Sequence, residues 1–449
     1  VVVDWTALVR RAVLQDQADQ LARWRRAWDA YEGRFAPVLP AQPGRPRLES
    51  IPNLCKLVID AKVHALFGQG VRVELAEGTE TPEEEWLRSW WKREEVDLKL
   101  MSAALNGAIT GHAFLRLTAD RPFPRLIVLD STSVQLQWEA EDIDRITGYV
   151  ITWNDELPDG RPVTRRQRIL AQNNNTWSVV DEVTELGSPS YRVIGQAPWP
   201  YPFPPVVDTQ NLPAPNQVWG RPDLTDDLID LNRAIGFALS NSLLIYRYHG
   251  HPRTVARNVP PTHPLRVGPD EVIYLASGQE LEVLQPSADL ANGLALARQL
   301  TELFFQTARI PEVAVGRLQG VGALSGVALR ILYRPLMEDL EAKRRLYGRM
   351  VEQLVQRALV LAGWRTTADA DVRLHWPEPI PANQEELART ALVWSQLGVS
   401  QRTILERLGF DWDLERQHRA EDEASLGEMV RRAMARPPET TVTDEPNGR

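Results

Sequence analysis

Cysteine is nearly missing from this chain. Cys55 is the only one in 449 residues, which excludes an internal disulfide framework and any Cys-x-x-Cys metal site and fits a reducing cytoplasm. Lysine is scarce as well. Five lysines stand against forty-six arginines, a ratio that a GC-rich genome or a hot habitat would produce and that points to no function. No Gly-Lys pair occurs, so a P-loop is excluded. There is no run of about 18 apolar residues, so no membrane-spanning helix is expected, and no secretory signal is read. The first residue is Val rather than Met, so the original N-terminus is expected to be missing.

What is present suffices for about two or three domains with a substantial core. The net charge is −9. A protein that grips DNA by neutralising phosphates is basic over its binding face, whereas an acidic chain meets DNA transiently or through a small patch.

Residues 4–32 lack Pro and Gly and carry Leu8, Val13, Leu21, Trp24 and Trp28 at helical spacing, which predicts a helix ending at Gly33. A Pro-rich connector (37–47) leads to a second helix. Ser50 is its expected cap, Leu54, Leu57, Val58, Ala61 and Ala65 its apolar stripe, and Gly68 its stop. A short strand at Val71–Leu75 precedes a third helix from near Pro82. Between Gly111 and about Ile194, short β-branched and aromatic runs separated by turn residues predict a mostly antiparallel β region. The Pro-dense stretch 198–222 reads as extended.

Helix is expected again over 222–246, with Pro222 in its first turn and Asp223, Asp226 and Asp227 favouring its dipole. Strands at "RTVAR", "EVIYLAS" and "ELEVL" fall within 247–287, and a further helix covers about 287–309. One long helix then runs from Ser325 to about Leu361 with Pro335 inside, where the missing N–H and the ring predict a kink. Two short helices follow, over about 383–396 and from Ser400 to Gly409. The chain ends in a polar tail.

The stretch "GVGALSGVALRILYRP" (320–335) approaches two catalytic signatures and satisfies neither. A dinucleotide fingerprint needs a third glycine where Ser325 stands, and a nucleophile elbow needs serine between the glycines at another spacing. The reading that remains is a flexible loop with Ser325 capping the long helix. The histidines (His64, His112, His249, His251, His263, His375, His418) are scattered. Only His249 and His251 are close, on an expected strand, and two ligands without a third make no zinc site, so solvated loop histidines are expected. Residues 247–266 carry Arg247, Arg253, Arg257 and Arg266 without an acid, a pattern that suits contact with an acidic partner or phosphates. Fifteen tryptophans would suit sugar stacking, but Trp24, Trp28, Trp86, Trp90 and Trp91 lie on predicted helices, where packing explains them. No catalytic constellation, cofactor motif or metal set stands out.

Four motifs in order carry a resemblance. "KLVIDAKVHALFGQGVRV" (56–73), "FPPVVDTQN" (203–211) with "WGRPDLTDDLIDLNRAIGFALSN" (219–241), "LSGVALRILYRPLMEDLEAKRR" (324–345), and "WPEPIPANQEEL" (376–387) with "LGVSQRTILERLG" (397–409) and "ERQHRAEDE" (415–423) resemble the portal proteins of tailed bacteriophages, of the siphophage type. Arg221-Pro222 departs from the family's usual serine.

The resemblance implies an α+β portal fold with a helical stem, a β-containing wing and clip, a long kinked helix and a helical crown. It divides the chain into a wing (1–205), a descending stem helix (206–246), a clip (247–287), an ascending stem helix (288–310), a tunnel loop (311–324), the long kinked helix (325–362), a crown (363–436) and a disordered tail (437–449). It implies a non-enzymatic homo-oligomeric ring, a dodecamer, at one vertex of the virion capsid, assembled in the host cytoplasm. Such a ring is the channel for packaging and ejecting double-stranded DNA, bound without sequence preference. Its implied partners are the terminase large subunit, a head–tail adaptor, and the major capsid and scaffolding proteins, with no membrane and no cofactor. Arg317, Gln319, Gly320, Val321 and Gly322 become tunnel-loop candidates, Pro335 the kink, and Arg247, Arg253 and Arg257 the clip's docking residues. Two alternatives stand beside it: another head–tail connector component, although adaptors are usually much shorter, and a Trp-rich polysaccharide-active enzyme, which would need a carboxylate pair in a cleft.

Overall fold

A computed structural model describes residues 5–41, 48–75, 81–139, 141–172, 176–250, 253–258, 277–278, 280–284, 290–316, 326–378, 384–408, 412, 415–416 and 418–420. The chain divides into two compact units, one reaching Pro379 and one beginning at Ile380.

The first unit opens with α1 (Trp5–Tyr31) and α2 (Leu54–Phe67), then β1 (Arg72–Leu75), α3 (Pro82–Arg93) and α4 (Val96–Thr110). Eight strands follow: β2 (His112–Leu117), β3 (Leu126–Leu129), β4 (Val134–Trp138), β5 (Ile146–Glu156), β6 (Pro162–Ala171), β7 (Trp177–Glu185), β8 (Arg192–Trp199) and β9 (Val206–Gln210). Next come α5 (Asp226–Gly250), β10 (Arg253–Arg257), β11 (Glu280–Leu284), α6 (Leu290–Thr307), α7 (Gly326–Ala362) and β12 (Val372–His375). The second unit holds α8 (Gln384–Gln396) and α9 (Gln401–Arg407), the latter with Ser400 Oγ accepting from the Thr403 N–H. The α+β class expected from the sequence is the class observed.

Strands β4 to β8 form one antiparallel meander in chain order, and β3-β2-β9 form a second sheet. Its middle strand β2 is buried at Ala113, Phe114 and Leu115. Against β2 lies α4, which buries Leu100, Ala103, Ala104 and Ala108, and against β9 lies α7, whose C-terminal half buries Tyr347, Val351, Leu354, Val355, Ala358 and Leu359. Each such aliphatic side chain contributes roughly 1.5–3 kcal/mol by leaving water. Trp24 on α1 and Trp86 and Trp90 on α3 belong to the core. Trp24, Trp86 and Trp90 are buried, and their indole N–H groups donate to the carbonyls of Thr110, Pro122 and Pro124 at 2.9, 3.1 and 2.7 Å.

Several expectations need correction. Asn53, not Ser50, caps α2, its side chain accepting from the Lys56 N–H, while the Ser50 N–H donates to Ser240 Oγ. The buried face of α2 is Cys55, Val58, Ile59, Lys62, Val63, Leu66 and Phe67. Leu57 points outward, so the true stripe is rotated about the helix from the one read in sequence. The third helix is two helices, broken at Glu95, whose φ of 50° ends the first turn pattern and restarts it. Helix α5 begins at Asp226, so Pro222 and Asp223 precede it. The β region runs on to Gln210, and β12, unforeseen, pairs antiparallel with β1.

Within α5, the stretch Asp226–Arg247 is long and apolar enough to cross a membrane by length and composition, contrary to the expectation that no such run exists. Between Ile229 and Tyr246 only Asp230 and Arg233 are charged. Packing accounts for part of this apolar character, since Ile235 and Ala238 are buried and α5 lies along α6.

Helix α7 is continuous through Pro335, about 55 Å long at 1.5 Å per residue. Pro335 is exposed, so the hydrogen bond it cannot make falls on the solvent side.

Gly111 joins α4 to β2 with φ at +95°, and a Cβ there would sit 2.1 Å from the Gly220 carbonyl oxygen. Gly111→Ala is expected to destabilise the chain by about 1–2 kcal/mol from the backbone alone, with steric strain of about 1–3 kcal/mol added. A urea midpoint equal to that of the parent would refute this.

Candidate functional site

The segment after β9 builds a helix–hairpin–helix followed by a loop and a long helix. Helix α5 packs along α6, and between them β10 and β11 pair antiparallel, Arg253 opposite Leu284 and Arg257 opposite Glu280. The helices approach closely where α6 has glycine: a Cβ on Gly293 would lie 2.8 Å from Ser242 Oγ of α5. Outward, α5 shows Phe237, Leu243 and Tyr246, and α6 shows Leu294, Leu296 and Leu303.

Of the docking candidates, Arg247 is exposed in the last turns of α5. Arg257 is exposed and paired with Glu282 across the hairpin at 3.1 Å, so the basic stretch is partly neutralised by an acid outside it. Arg253 lies in β10, and its side chain is outside the described residues. The candidates Arg317, Gln319, Gly320, Val321 and Gly322, and the cap Ser325, also lie outside them.

This segment is fastened to the rest of the unit by a buried charge cluster. Asp223, fully buried three residues before α5, receives Lys62 of α2 at 3.0 Å, Lys343 of α7, and the Asn211 amide at 3.0 Å. Lys62 also reaches Asp339 of α7 at 3.2 Å, and Tyr347 donates to Asn211 Oδ1 at 3.2 Å. The Asp223 and Leu224 N–H groups both donate to the Ala108 carbonyl at the end of α4.

Burial by itself would raise the Asp223 carboxyl, but the Lys343 and Lys62 ammonium groups hold it well below the usual carboxylate range. Burial also works against both lysines. For Lys343 it prevails and the ammonium is lowered, whereas Asp223 and Asp339 together outweigh it at Lys62, which is raised.

The root of the loop joins the same cluster. Arg309, just past α6, donates to Asp339 at 2.7 Å and to Glu338 at 2.8 Å. A 3-10 turn, Glu312–Val315, follows and ends at Gly316 with φ at 81°.

A second buried cluster corrects the expectation for the histidines. His112 is buried on β2, its Nε2 2.9 Å from Asp208 of β9, whose other oxygen accepts from Tyr149 at 2.7 Å. Burial would raise the Asp208 carboxyl, yet His112, Tyr149 and Arg357 lower it. Arg357 of α7 donates to the carbonyls of Pro204 and Val206 at 3.1 and 2.6 Å. His249 lies in the last turn of α5, not on a strand, and His251 is outside the described residues. Among the described residues no group of three or more His, Cys, Asp or Glu is placed to hold a metal.

Sequence reading missed Lys62, Asp223, Asp339 and Lys343. The signal was available: Lys62 sits on the buried stripe of α2, and Lys343 follows Leu336 and Leu340 and precedes Tyr347 at helical spacing on α7.

The residues just before α5, those just past α6 and the long proline-containing helix α7 thus meet at one buried charge cluster. Residues 279–425, which take in β11, α6, the loop, α7 and the second unit's helices, match the family model described as phage portal protein, SPP1 Gp6-like. That match bears out the resemblance to a phage portal protein read from the sequence motifs. The chain is also similar to a structure titled "Neck of empty GTA particle computed with C6 symmetry", at 14% identity and a TM-score of 0.49, over 83% of this chain and 98% of that one. Another, "Virion of native gene transfer agent (GTA) particle", aligns at 13% identity and a TM-score of 0.46, over 86% and 99%. No curated protein matches the chain.

Asp223→Asn leaves two buried ammonium groups short of a counter-charge and is expected to cost about 3–5 kcal/mol. The parent's stability should fall with acid. Because the folded carboxyl is depressed, the unfolded chain takes up the proton first, and the contribution is lost from about pH 5 downward. Denaturation at a series of pH values should show a shallower acid limb for Asp223→Asn, and identical slopes would contradict the assignment.

Proposed function

We propose that the chain is a portal subunit, part of a homo-oligomeric ring, a dodecamer, at one capsid vertex, through which double-stranded DNA is packaged and ejected. The observation that carries the reading is the portal-family match over 279–425, which takes in β11, α6 and α7. In this reading α5 and α6 are the stem, β10 and β11 part of the clip, residues 311–324 the tunnel loop, and the first unit's N-terminal helices and sheets the wing. Residues 363–436 form the crown, and Pro335 bends α7 so that its first turns follow the channel wall.

The clip arginines Arg247, Arg253 and Arg257 dock the terminase large subunit and later a head–tail adaptor, while capsid and scaffolding proteins meet the outer surface. The subunit assembles in the host cytoplasm, away from membranes, and has no catalytic role. A loop of Gly320, Val321 and Gly322 with one Arg317 and Gln319 per subunit offers a ring of weak, sequence-blind phosphate contacts. An acidic subunit suits DNA that must slide. The sugar-stacking alternative loses its main support, because Trp24, Trp86 and Trp90 are core residues.

Electron microscopy of the purified protein is expected to show rings with a central hole, and monomers at micromolar concentration would contradict the reading. Deleting 320–323 should leave rings intact and impair DNA packaging or retention. Normal packaging by that variant would remove the loop's role. For the clip, Arg253→Gln with Arg257→Gln tests docking better than charge reversal, since an acid at 257 would also repel Glu282. Motor or adaptor binding should weaken at low salt and the gap to the parent should close as salt rises, whereas equal binding at low salt would count against docking.

A further inference from the structure

The chain leaves α6 through a backbone position that favours glycine, yet the residue there is arginine. Arg309 has φ at 57°. Its N–H donates to the Gln306 carbonyl at 3.0 Å and the Ile310 N–H to the Phe305 carbonyl at 3.1 Å, the hydrogen bonds that close a helix and turn the chain away. Glycine adopts this conformation freely, and other L residues pay for their Cβ. The side chain supplies the compensation. Its two terminal nitrogens fork onto adjacent α7 carboxylates, Asp339 at 2.7 Å and Glu338 at 2.8 Å.

The two arms differ. The Asp339 side chain is 8% exposed, and its other oxygen takes Lys62, so this arm reaches the buried cluster, where water and salt screen it little. The Glu338 arm is on the surface and is shared with Arg334 at 3.2 Å. A lysine, with one ammonium in place of a planar fork, has no means to hold both carboxylates in this geometry.

We propose that Arg309 is a positioning residue that ties the root of the loop after α6 to α7, fixing residues 310–316 against the helix just beyond Pro335. The anchored piece is short and defined: the 3-10 turn, whose Ala314 and Gly316 N–H groups donate to Pro311 and Val313. Packing competes as an explanation, because Ala314 and Val315 lie against the core beside α2. The two explanations separate on replacement by glycine, which removes the fork while relieving the backbone. The tie rests on geometry alone. Only its consequence for DNA rests on the portal reading.

The test is peptide-resolved amide hydrogen exchange on the full-length protein without DNA. In Arg309→Gly, exchange of residues 308–316 should rise about tenfold while the second half of α7 is unchanged, and the urea midpoint should stay close to that of the parent. Arg309→Lys should fall between the two. Raising salt to about 1 M screens the exposed Glu338 arm alone, so it should move the parent only part of the way, to about the level of Glu338→Gln, without moving the glycine variant. Should Arg309→Gly fail to fold, Glu338→Gln removes the exposed arm alone and should give a smaller rise, about threefold.

Exchange at 308–316 unchanged from the parent, in whichever variant folds, overturns the proposal and leaves packing as the anchor. Faster exchange with DNA retention unchanged in assembled particles keeps the tie and removes its role at the channel.

Discussion

Asp223 is a buried carboxylate that the fold has to satisfy, and much of the architecture follows from how it does so. A charge of that kind without partners costs several kcal/mol, so the chain can adopt this fold only if Lys62, Lys343 and Asn211 arrive together. Those three residues come from α2, α7 and the end of β9. The carboxylate itself stands three residues before α5. One cluster therefore fixes where α5 starts, and Asp339 extends it to the point where the chain returns from α6. A buried ion cluster is a weak source of net stability compared with apolar packing. What it supplies here is register: sliding α7 along its axis would separate Asp339, Lys343 and Tyr347 from their partners at once.

Much of this fold could be read in advance, because periodicity reports which faces are apolar. The long helix through Pro335, the antiparallel strands after Gly111 and the two helices around a β-containing connection were legible from spacing and turn residues. The charge cluster was not, for a physical reason. Pattern reading assigns lysine and aspartate to solvent, and Lys62, Asp223 and Lys343 violate that rule only in combination, when three distant segments meet. Asp223 was especially misleading, since an acid just before a helix is also what the helix dipole favours. The rotated stripe of α2 has the same origin. Placing Leu57 inside leaves Lys62 outside, and the true face takes in Lys62, because its charge is satisfied from α7 and the residues before α5. His112 was misjudged similarly, as its carboxylate partner lies on β9, almost a hundred residues later.

The family resemblance was legible where helices begin and end, and silent about mechanism. Motifs at 219–241 and 324–345 cover the start of α5 and the first half of α7, and Asp223, Asp339 and Lys343 fall within them. The resemblance and the cluster thus describe the same residues from two sides. The motifs name a segment order, and the ion pairs give the reason for those residue types there.

Helices α5 and α6 bury one face on each other and leave Phe237, Leu243, Tyr246, Leu294, Leu296 and Leu303 in solvent. Apolar side chains gathered on two adjacent helices form a surface that an isolated soluble chain seldom keeps bare. In the portal reading they face the neighbouring subunits of a ring, so the apolar character that makes α5 long enough to cross a membrane is taken up by copies of the same chain. At the start of α5, Asp226 and Asp230 are held by Arg26, and Arg247 stands exposed near its other end. In that reading the exposed apolar faces of α5 and α6 are the reason the two helices need neighbours along their length.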